Sequence, residues 1–424
     1  MTAVVRRTFS SLRIRNFRLF YLGQLVSLVG TWMQNVAQVW LVVELAHGNG
    51  FLVGLVPAFQ FAPMLVAGPY GGVIADRVDK RRCLMLTQAI LGVTALVLAV
   101  LTLTHVVVLW MVYATALATG IVTLVDIPVR QAFISEMVGQ DQLHNAVGLN
   151  SSLFNAARAV GPAVAGTLIV AVGTGLCFLA NAVSFIAVIY GIHLMRPDEL
   201  FRAEPVAKGK GQVRAGLRYI LDVPALRRTC ATLLLFGLLA LNFAIVLPLL
   251  AKFAFHGNAG TFALMSCVQG LGALAGALYT AFRGRPTQAL LVVAALLFGV
   301  SDIAAAYSPS LPTACVFLTV QGLAFMLLLA TANTMLQLNS SADMRGRVMA
   351  VYAVIVTGGT PLGAPFVGWL ARHYGSRFGY AFPGVIGLAT GVIAMVVLVR
   401  RPAGELVTEG DLVRDDTAVE LASA

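Results

Sequence analysis

Long apolar runs separated by short polar segments repeat along the whole chain. Since about 20 apolar residues in a helix cross the hydrocarbon core of a bilayer, each run is long enough to span a membrane. Within the runs, the charged side chains are Arg158 and Asp302 alone. The pattern predicts an all-α membrane protein with twelve transmembrane helices, near residues 19–43, 51–75, 83–103, 106–125, 146–172, 174–192, 229–251, 259–281, 287–307, 311–332, 348–371 and 378–399.

The composition supports a membrane location. Hydrophobic residues make up 59% of the chain and charged residues 11%, whereas roughly 25% of the residues in a soluble domain are charged. The first apolar run follows five arginines, is too long for a signal-peptide core and lacks an A-x-A cleavage site, so we interpret it as a membrane helix. The five cysteines form no CxxC or Cys/His cluster, so we expect neither disulfides nor a metal, and no other cofactor.

The basic residues lie almost entirely on one side of the predicted topology. If the N-terminus is cytoplasmic and the helices alternate in direction, 25 of the 29 Lys and Arg residues fall on the inner side. Because loops rich in Lys and Arg stay in the cytoplasm, we expect both termini inside, in a bacterial inner-membrane protein. The net charge of +11 therefore reflects the topology and does not indicate nucleic-acid binding.

The longest inner loop divides the chain into two sets of six helices. We expect an N-terminal bundle at 1–192, a cytoplasmic linker at 193–228, a C-terminal bundle at 229–400 and a disordered tail at 401–424. A weak internal repeat, visible for example at Gly161 and Gly363, indicates that a pseudo-two-fold axis relates the bundles. The linker stretch GLRYILDVPALRR is either an amphipathic helix on the inner membrane surface or a solvated connector.

The segment between the second and third predicted helices, GVIADRVDKRR at residues 72–82, carries a glycine, an aspartate four residues on and a basic cluster. It resembles the signature loop of the major facilitator superfamily. The resemblance implies two rocking six-helix bundles and a latch that closes the cytoplasmic side. The implied latch residues are Asp76, Arg77, Lys80 and Arg81, with Asp126 as partner of the basic cluster and the start of the eleventh helix as partner of Asp76. The alternative is a loop that only anchors the topology by its charge.

A second resemblance lies in the fifth apolar run. Gly161 and Pro162, followed by Gly166, are similar to part of the antiporter motif of drug and metabolite exporters. This pair can bend the helix during transport, or it is a purely structural kink. The stretches RNFRLFYLGQLVSLVGTWMQ, NAVGLNSSLFNAARAVGP and RGRVMAVY resemble the bacterial exporters that include the enterobactin exporter and macrolide efflux proteins. The fourth run lacks the arginine that proton-coupled members of the family often carry.

Polar residues inside the apolar runs predict a central cavity. A charge inside a span costs about 2.5–3.5 kcal/mol on insertion scales, so Arg158 should face a cavity or a partner. Asn155 lies one turn away on the same helix face. The first run contributes four further amides, Gln24, Gln34, Asn35 and Gln38. We expect these residues to line a substrate cavity; the alternative is a structural arginine near the inner surface.

The energy source is expected to be an ion gradient, because the chain contains no GxxxxGK[ST] loop for ATP. Asp302 inside the ninth run and Glu44 at the outer end of the first are candidates for proton coupling. Alternatively, Asp302 reaches water at the outer interface.

These observations predict a secondary active transporter that exports small amphiphilic molecules, either drug-like compounds or siderophore-like metabolites, by proton-coupled antiport. We expect it to act as a monomer. The alternatives are a lipid or nutrient carrier of the same fold and a membrane scaffold that transports nothing. An enzyme is disfavoured, since the runs hold no cluster of acid, base, nucleophile or metal ligands.

Overall fold

A computed structural model of the protein describes residues 9–201, 212–283, 286–341 and 344–399, without the side chains of 69–77, 212–215, 281 and 397–399. Within these ranges the chain is almost entirely helical and forms no strand. Two of the predicted latch residues, Asp76 and Arg77, lie outside the described side chains. The predicted tail at 401–424 lies outside the described residues.

Fourteen α-helices occur in the described part of the chain. The first five are α1 (Arg15–Leu45), α2 (Gly50–Arg77), α3 (Lys80–Leu103), α4 (Leu109–Val172) and α5 (Thr174–His193). The remaining nine are α6 (Gln212–Asp222), α7 (Pro224–Leu239), α8 (Phe243–Leu249), α9 (Ala259–Arg283), α10 (Gln288–Ala306), α11 (Leu311–Leu338), α12 (Arg345–Gly358), α13 (Thr360–Tyr374) and α14 (Ser376–Val399). We call residues up to His193 the N-terminal half and residues from Pro224 the C-terminal half.

Eleven continuous helical stretches in the described residues are long and apolar enough to cross a membrane. One of them, α4, has 64 residues and would be about 96 Å long if it were straight. It is broken at Gly139, where φ is 69° and ψ is −178°, a conformation that glycine adopts without a steric clash. Because α4 thus provides two spans, the prediction of twelve membrane helices is confirmed.

The fourth and fifth predicted spans, 106–125 and 146–172, imply an inner loop at residues 126–145. This implied loop is absent, because α4 continues through these residues on both sides of Gly139. Hydropathy marks where the apolar surface ends, but a helix can extend beyond that point when one of its faces is polar. As a result, Asp126, Arg130 and Glu136 project from an ordered helix. The eleventh span is also divided, at Gly359, where Pro361 removes a donor from the helical ladder.

The two halves meet where α2 packs on α13 and where α4 packs on α9. A methyl group on Gly50 or Gly54 would collide with the backbone of Gly368 or Ala364, so the helix backbones touch directly here. Such close packing of small residues is a common way for membrane helices to associate. These contacts lie at the start of α2 and the end of α13, which the predicted topology places outside.

Aromatic contacts join the halves at the same end of the molecule. The ring of Trp40 on α1 stacks on Phe262 of α9, with centroids 6.2 Å apart and planes 19° apart. The ammonium of Lys252 lies 5.7 Å from the Trp40 ring centroid. The halves are therefore packed tightly at the end that carries the α1–α2 connection.

Part of the linker stretch forms the short helix α6, and its remainder begins α7 at Pro224. The Tyr219 hydroxyl accepts a hydrogen bond of 3.2 Å from the Ser341 amide, which ties α6 to the segment before α12. Leu217 and Leu221 are about half exposed on another face of α6. A position on the membrane surface remains a prediction.

Candidate transport pathway

Arg158 lies between the two halves of the protein. Its guanidinium carbon is 5.7 Å from the ring centroid of Trp32 on α1 and 4.9 Å from that of Phe325 on α11. These distances allow cation–π attraction to both rings. Among the ion pairs of the described residues, none involves Arg158, whose side chain is half-buried. The residue thus presents a positive charge, without a carboxylate partner in that part of the chain, at the junction of the halves.

The amides expected around this arginine are only partly brought together. Asn155 lies one turn away and donates to the Ser151 carbonyl at 2.9 Å. Gln34 instead accepts a hydrogen bond of 2.6 Å from Asn181 on α5, within the N-terminal half. Asn35 is half-buried and Gln38 is buried. A cavity role for these four residues stays a prediction.

Gln24 does not face an open cavity in this structure. Its side chain is 2% exposed, and its Oε1 accepts a hydrogen bond of 3.3 Å from Arg130 on α4. Arg130 can reach this amide because it belongs to a helix and not to a loop, and a substrate-cavity role for Gln24 stays a prediction. The amide therefore helps to satisfy a buried charge at the inner side of the N-terminal half.

A buried polar cluster holds α1, α3 and α4 together around Asp126, which is 1% exposed. Its Oδ1 accepts hydrogen bonds from Thr87 Oγ1 at 2.7 Å and from Gln88 Nε2 at 2.8 Å. Its other oxygen pairs with Arg130, one turn further along α4. A buried carboxylate with this many partners is well compensated for its loss of hydration.

Lys80 and Arg81 do not pair with Asp126 in this structure, although the resemblance implied that they would. Lys80 pairs with Glu136 at 2.6 Å. Arg81 donates to the carbonyls of Ile192 and His193 at 3.1 and 2.9 Å. Asp126 pairs with Arg130 because the two occupy positions i and i+4 of one helix. Both basic residues thus bind groups of their own half in this structure, and the latch role of Asp76, Arg77, Lys80, Arg81 and Asp126 stays a prediction.

Replacing Asp126 with alanine should destabilise the protein, because Arg130 would keep a largely buried charge without a counter-ion. We expect the free energy of unfolding to fall by about 2–3 kcal/mol. This is less than the loss for a fully buried ion pair, because Arg130 is partly exposed. Thermal unfolding in detergent measures the effect. Glu199→Gln is the matched control, because its pair with Arg196 is exposed. Equal midpoints for Asp126→Ala and the control would contradict the prediction.

Asp302 belongs to a buried chain of hydrogen bonds in the C-terminal half. It is fully buried on α10, and its Oδ1 accepts a hydrogen bond of 2.9 Å from Gln321 on α11. Gln321 in turn accepts a hydrogen bond of 2.6 Å from Gln269 on α9. The side chain of Tyr380, on α14, lies beside Asp302 and Gln269. The alternative that Asp302 reaches interfacial water is therefore wrong.

No cation pairs with Asp302 in the part of the chain that the structure describes. Burial removes the hydration of this carboxyl group, and the hydrogen bond from Gln321 replaces part of it. Glu44, the other proton candidate, is exposed at the end of α1 and accepts a hydrogen bond of 2.7 Å from the Trp40 indole. The geometry thus distinguishes one enclosed carboxyl group from one accessible carboxyl group.

The glycines of the partial antiporter motif lie at close contacts between helices. A methyl group on Gly161 would collide with Trp32 of α1, and one on Gly166 would collide with Ala263 of α9. Pro162 is buried between them, and α4 keeps helical angles there, since its non-helical residue is Gly139. A bending role for Gly161, Pro162 and Gly166 stays a prediction, whereas their close packing is observed.

Gly161→Val should disturb the packing of α4 on α1, because a Cβ at this position would collide with the Cβ of Trp32 and lie close to the backbone nitrogen of Met33. Gly148→Val is a matched control on the same helix, where a side chain enters open space. Overpacking costs about 1–3 kcal/mol, so Gly161→Val should lower the unfolding midpoint and the control should not. Identical midpoints would argue against this contact.

The sequence alone does not predict several residues that the structure places beside these side chains. Arg130 and Glu136 lie between the fourth and fifth predicted spans, where hydropathy does not indicate a helix, although Arg130 stands four residues after Asp126, a spacing typical of helical ion pairs. Gln269 and Gln321 are uncharged polar residues inside apolar runs, and this signal could have marked them as partners of Asp302. Nothing in the local sequence connects Phe325 with Arg158.

The chain matches known transporters along nearly its whole length. A family model described as a transmembrane secretion effector matches residues 6–416. The staphyloferrin A transporter of Staphylococcus aureus is 24% identical over 387 residues, covering 89% of this chain and 94% of its own. The multidrug efflux pump Tap of Mycolicibacterium fortuitum is 26% identical and covers 86% and 91%. The macrolide efflux protein A of Streptococcus pyogenes is 22% identical and covers 90% and 95%.

Solved structures show the same fold. The nucleoside transporter NupG superposes with a TM-score of 0.71 at 13% identity, over 92% of this chain and all of its own. An inward-facing bacterial homologue of the human lysosomal transporter Spinster superposes with a TM-score of 0.65 at 15% identity, over 90% and 95%. These likenesses confirm the fold expected from the sequence, two six-helix bundles related by a pseudo-two-fold axis.

Proposed function

The chain belongs to the transmembrane secretion effector family of major facilitator transporters, and from this premise we propose that it exports small amphiphilic molecules by alternating access. The proposed route crosses the cytoplasmic membrane of a bacterium, with both termini inside. Its relatives include a staphyloferrin A transporter, a multidrug efflux pump and a macrolide efflux protein. These names favour drug-like or siderophore-like substrates over sugars or ions.

The position of Arg158 is the observation that carries the proposal. Its guanidinium group contacts an aromatic ring from each half, so its surroundings must change whenever the halves rock. A planar cation beside two aromatic rings suits a substrate that combines an apolar body with an acidic group. Since few other charges lie in the spans, neutral lipophilic molecules can bind in the same region through the rings alone.

Proton coupling is proposed to use Asp302. A substrate arriving near Arg158 lies close to the hydrogen-bond chain that ends at this carboxyl group. Phe325 is one turn from Gln321 on α11, and the glycine after Gln269 lies against Ala159. Uptake of a proton by Asp302 would alter its bond to Gln321 and, through Gln269, the contact between α9 and α4. Protons are thus the proposed coupling ion, with no cofactor required.

The structure fits the inward-facing stage of this cycle. The halves are packed at the end proposed to lie outside, through the contacts of Trp40 and of Gly50. In the outward-facing stage, we propose that Asp76 caps the start of α12 and that the basic residues after it hold the inner side closed. A single chain contains both halves, so a monomer is the proposed functional unit.

The proposal is tested by measuring accumulation of lipophilic dyes, macrolides and siderophores in cells that express the protein, with and without a protonophore. We expect lower accumulation of at least one compound, and we expect the protonophore and Asp76→Asn to abolish the difference. Immunoblots of the membrane fraction control for expression. If no compound responds although the protein is in the membrane, the export proposal fails and a dedicated carrier of lipids or nutrients replaces it.

A further inference from the structure

A cavity of about 380 Å³ lies in the C-terminal half, away from Arg158 and Asp302. It is bounded by the first turns of α7, the start of α10 and the last turns of α14. Its lining includes Arg227, Arg228, Leu235, Gln288 and Ile393. All three helix ends belong to the side of the molecule that the predicted topology places in the cytoplasm.

We call this cavity the groove, and we propose that it binds the headgroup and one acyl chain of an anionic phospholipid from the inner leaflet. The site goes beyond the export function and rests only on the proposed orientation. It requires no contact with the substrate pathway. The proposal depends on the charge at the mouth of the groove, the apolar walls below it and the depth over which the walls continue.

The mouth of the groove carries the positive charge. Arg227 and Arg228 are the fourth and fifth residues of α7, and Arg227 is exposed. Arg227 donates to the carbonyl of Leu221 at 3.1 Å, so its side chain stays near the end of α6. Guanidinium groups bind phosphate oxygens in a forked geometry, and basic pockets between helices on the cytoplasmic side are typical sites for anionic headgroups.

Below the mouth, the walls are apolar. Leu291 and Val292 on α10 are buried, whereas Ile393 on α14 is 55% exposed, so the cavity opens to the surface beside it. The exposed residues near Ile393 on α14 are also apolar and include Val392 and Met395. A surface of this kind in a membrane helix faces acyl chains. The groove is therefore continuous with a surface that lipid covers.

The length of the groove matches an acyl chain that starts at the headgroup level. From Arg227 to Leu235 the helix rises about 12 Å, close to the half-thickness of the hydrocarbon core, which is about 15 Å. Thr229 and Thr232 donate their hydroxyl hydrogens to carbonyls of their own helix, so these two hydroxyls already have partners. A hydrophilic ligand such as free phosphate would leave most of this wall uncovered.

Native mass spectrometry of the purified full chain in detergent tests the proposal, by titration with phosphatidylglycerol and with phosphatidylcholine. Two variants separate charge from shape. Arg227→Gln with Arg228→Gln removes the charges at the mouth, and Ala231→Phe fills the groove while it keeps both arginines. Arg218→Gln on α6 is the control, because it removes an exposed basic residue outside the groove lining.

We expect wild type to bind phosphatidylglycerol at least tenfold more tightly than phosphatidylcholine. The double variant should lose about tenfold to thirtyfold in affinity for phosphatidylglycerol. Ala231→Phe should lose affinity for phosphatidylglycerol by a similar factor. Arg218→Gln should bind phosphatidylglycerol as tightly as wild type. Equal binding of both lipids would overturn the proposal, as would full binding by Ala231→Phe, because the lipid would then lie on the surface and not in the groove. Export activity plays no part in these readouts, so failure here leaves the proposed function standing.

Discussion

Replacing Arg158 with alanine is expected to lower the export rate of an anionic substrate by about tenfold to a hundredfold, since a hydrogen bond to a charged group contributes about 1.5–3 kcal/mol. A neutral substrate should lose much less, because the rings of Trp32 and Phe325 remain. Initial rates of uptake into inside-out membrane vesicles measure both effects. The comparison between the two substrates separates a binding role from a general loss of structure.

Arg158→Lys is the informative companion variant. It keeps the positive charge but loses the planar group that lies against the two rings. We expect it to retain part of the transport of the anionic substrate, with a weaker apparent affinity. If both variants, Arg158→Ala and Arg158→Lys, reduce transport of the anionic substrate and of the neutral substrate by the same factor, Arg158 is a structural residue. The substrate cavity then has to be placed elsewhere.

Asp302→Asn is expected to abolish accumulation of substrate against a gradient while exchange down a gradient continues. The amide cannot bind and release a proton, so transport loses its link to the pH gradient. Asparagine has nearly the same shape and can still accept the hydrogen bond from Gln321, so the variant should fold. Uphill and downhill fluxes in proteoliposomes measure the two activities separately.

The control for Asp302→Asn is Glu44→Gln, which removes an exposed carboxylate at the end of α1. We expect this control to keep uphill transport. If instead Asp302→Asn accumulates substrate as wild type does, the enclosed carboxyl group is not the proton site. Loss of uphill transport in the Glu44 variant alone would move the proton site to the outer end of α1.

The sequence predicts the number and the order of the membrane helices because hydrophobic length is a local property. The prediction is wrong at residues 126–145 for the same reason. Where a helix continues beyond the apolar layer its residues are polar, so hydropathy does not identify them as helical. The buried positions of Asp126 and Arg130 depend on this continuation. Hydropathy alone therefore cannot predict their pairing, whereas the spacing of the two residues could.

The sequence likewise predicts only part of the candidate site. Arg158 and Asp302 can be found from the sequence because a charge in an apolar run is costly and therefore conspicuous. Their surroundings depend on tertiary contacts between distant helices, such as those of Phe325 with Arg158 and of Gln321 with Asp302. Gln24 is a further case, since the sequence marks it as a polar residue in a span but does not show that Arg130 is its neighbour.

The most direct test of the account is substrate uptake by inside-out membrane vesicles, driven by an imposed pH gradient in the absence of ATP. We predict that a substrate identified in the cellular panel accumulates when the vesicle interior is made acidic. Accumulation should collapse when an ionophore dissipates the gradient and should be absent with Asp302→Asn. Uptake that is the same with and without the gradient would contradict proton-coupled export, and the protein would then be a facilitator or would use another ion.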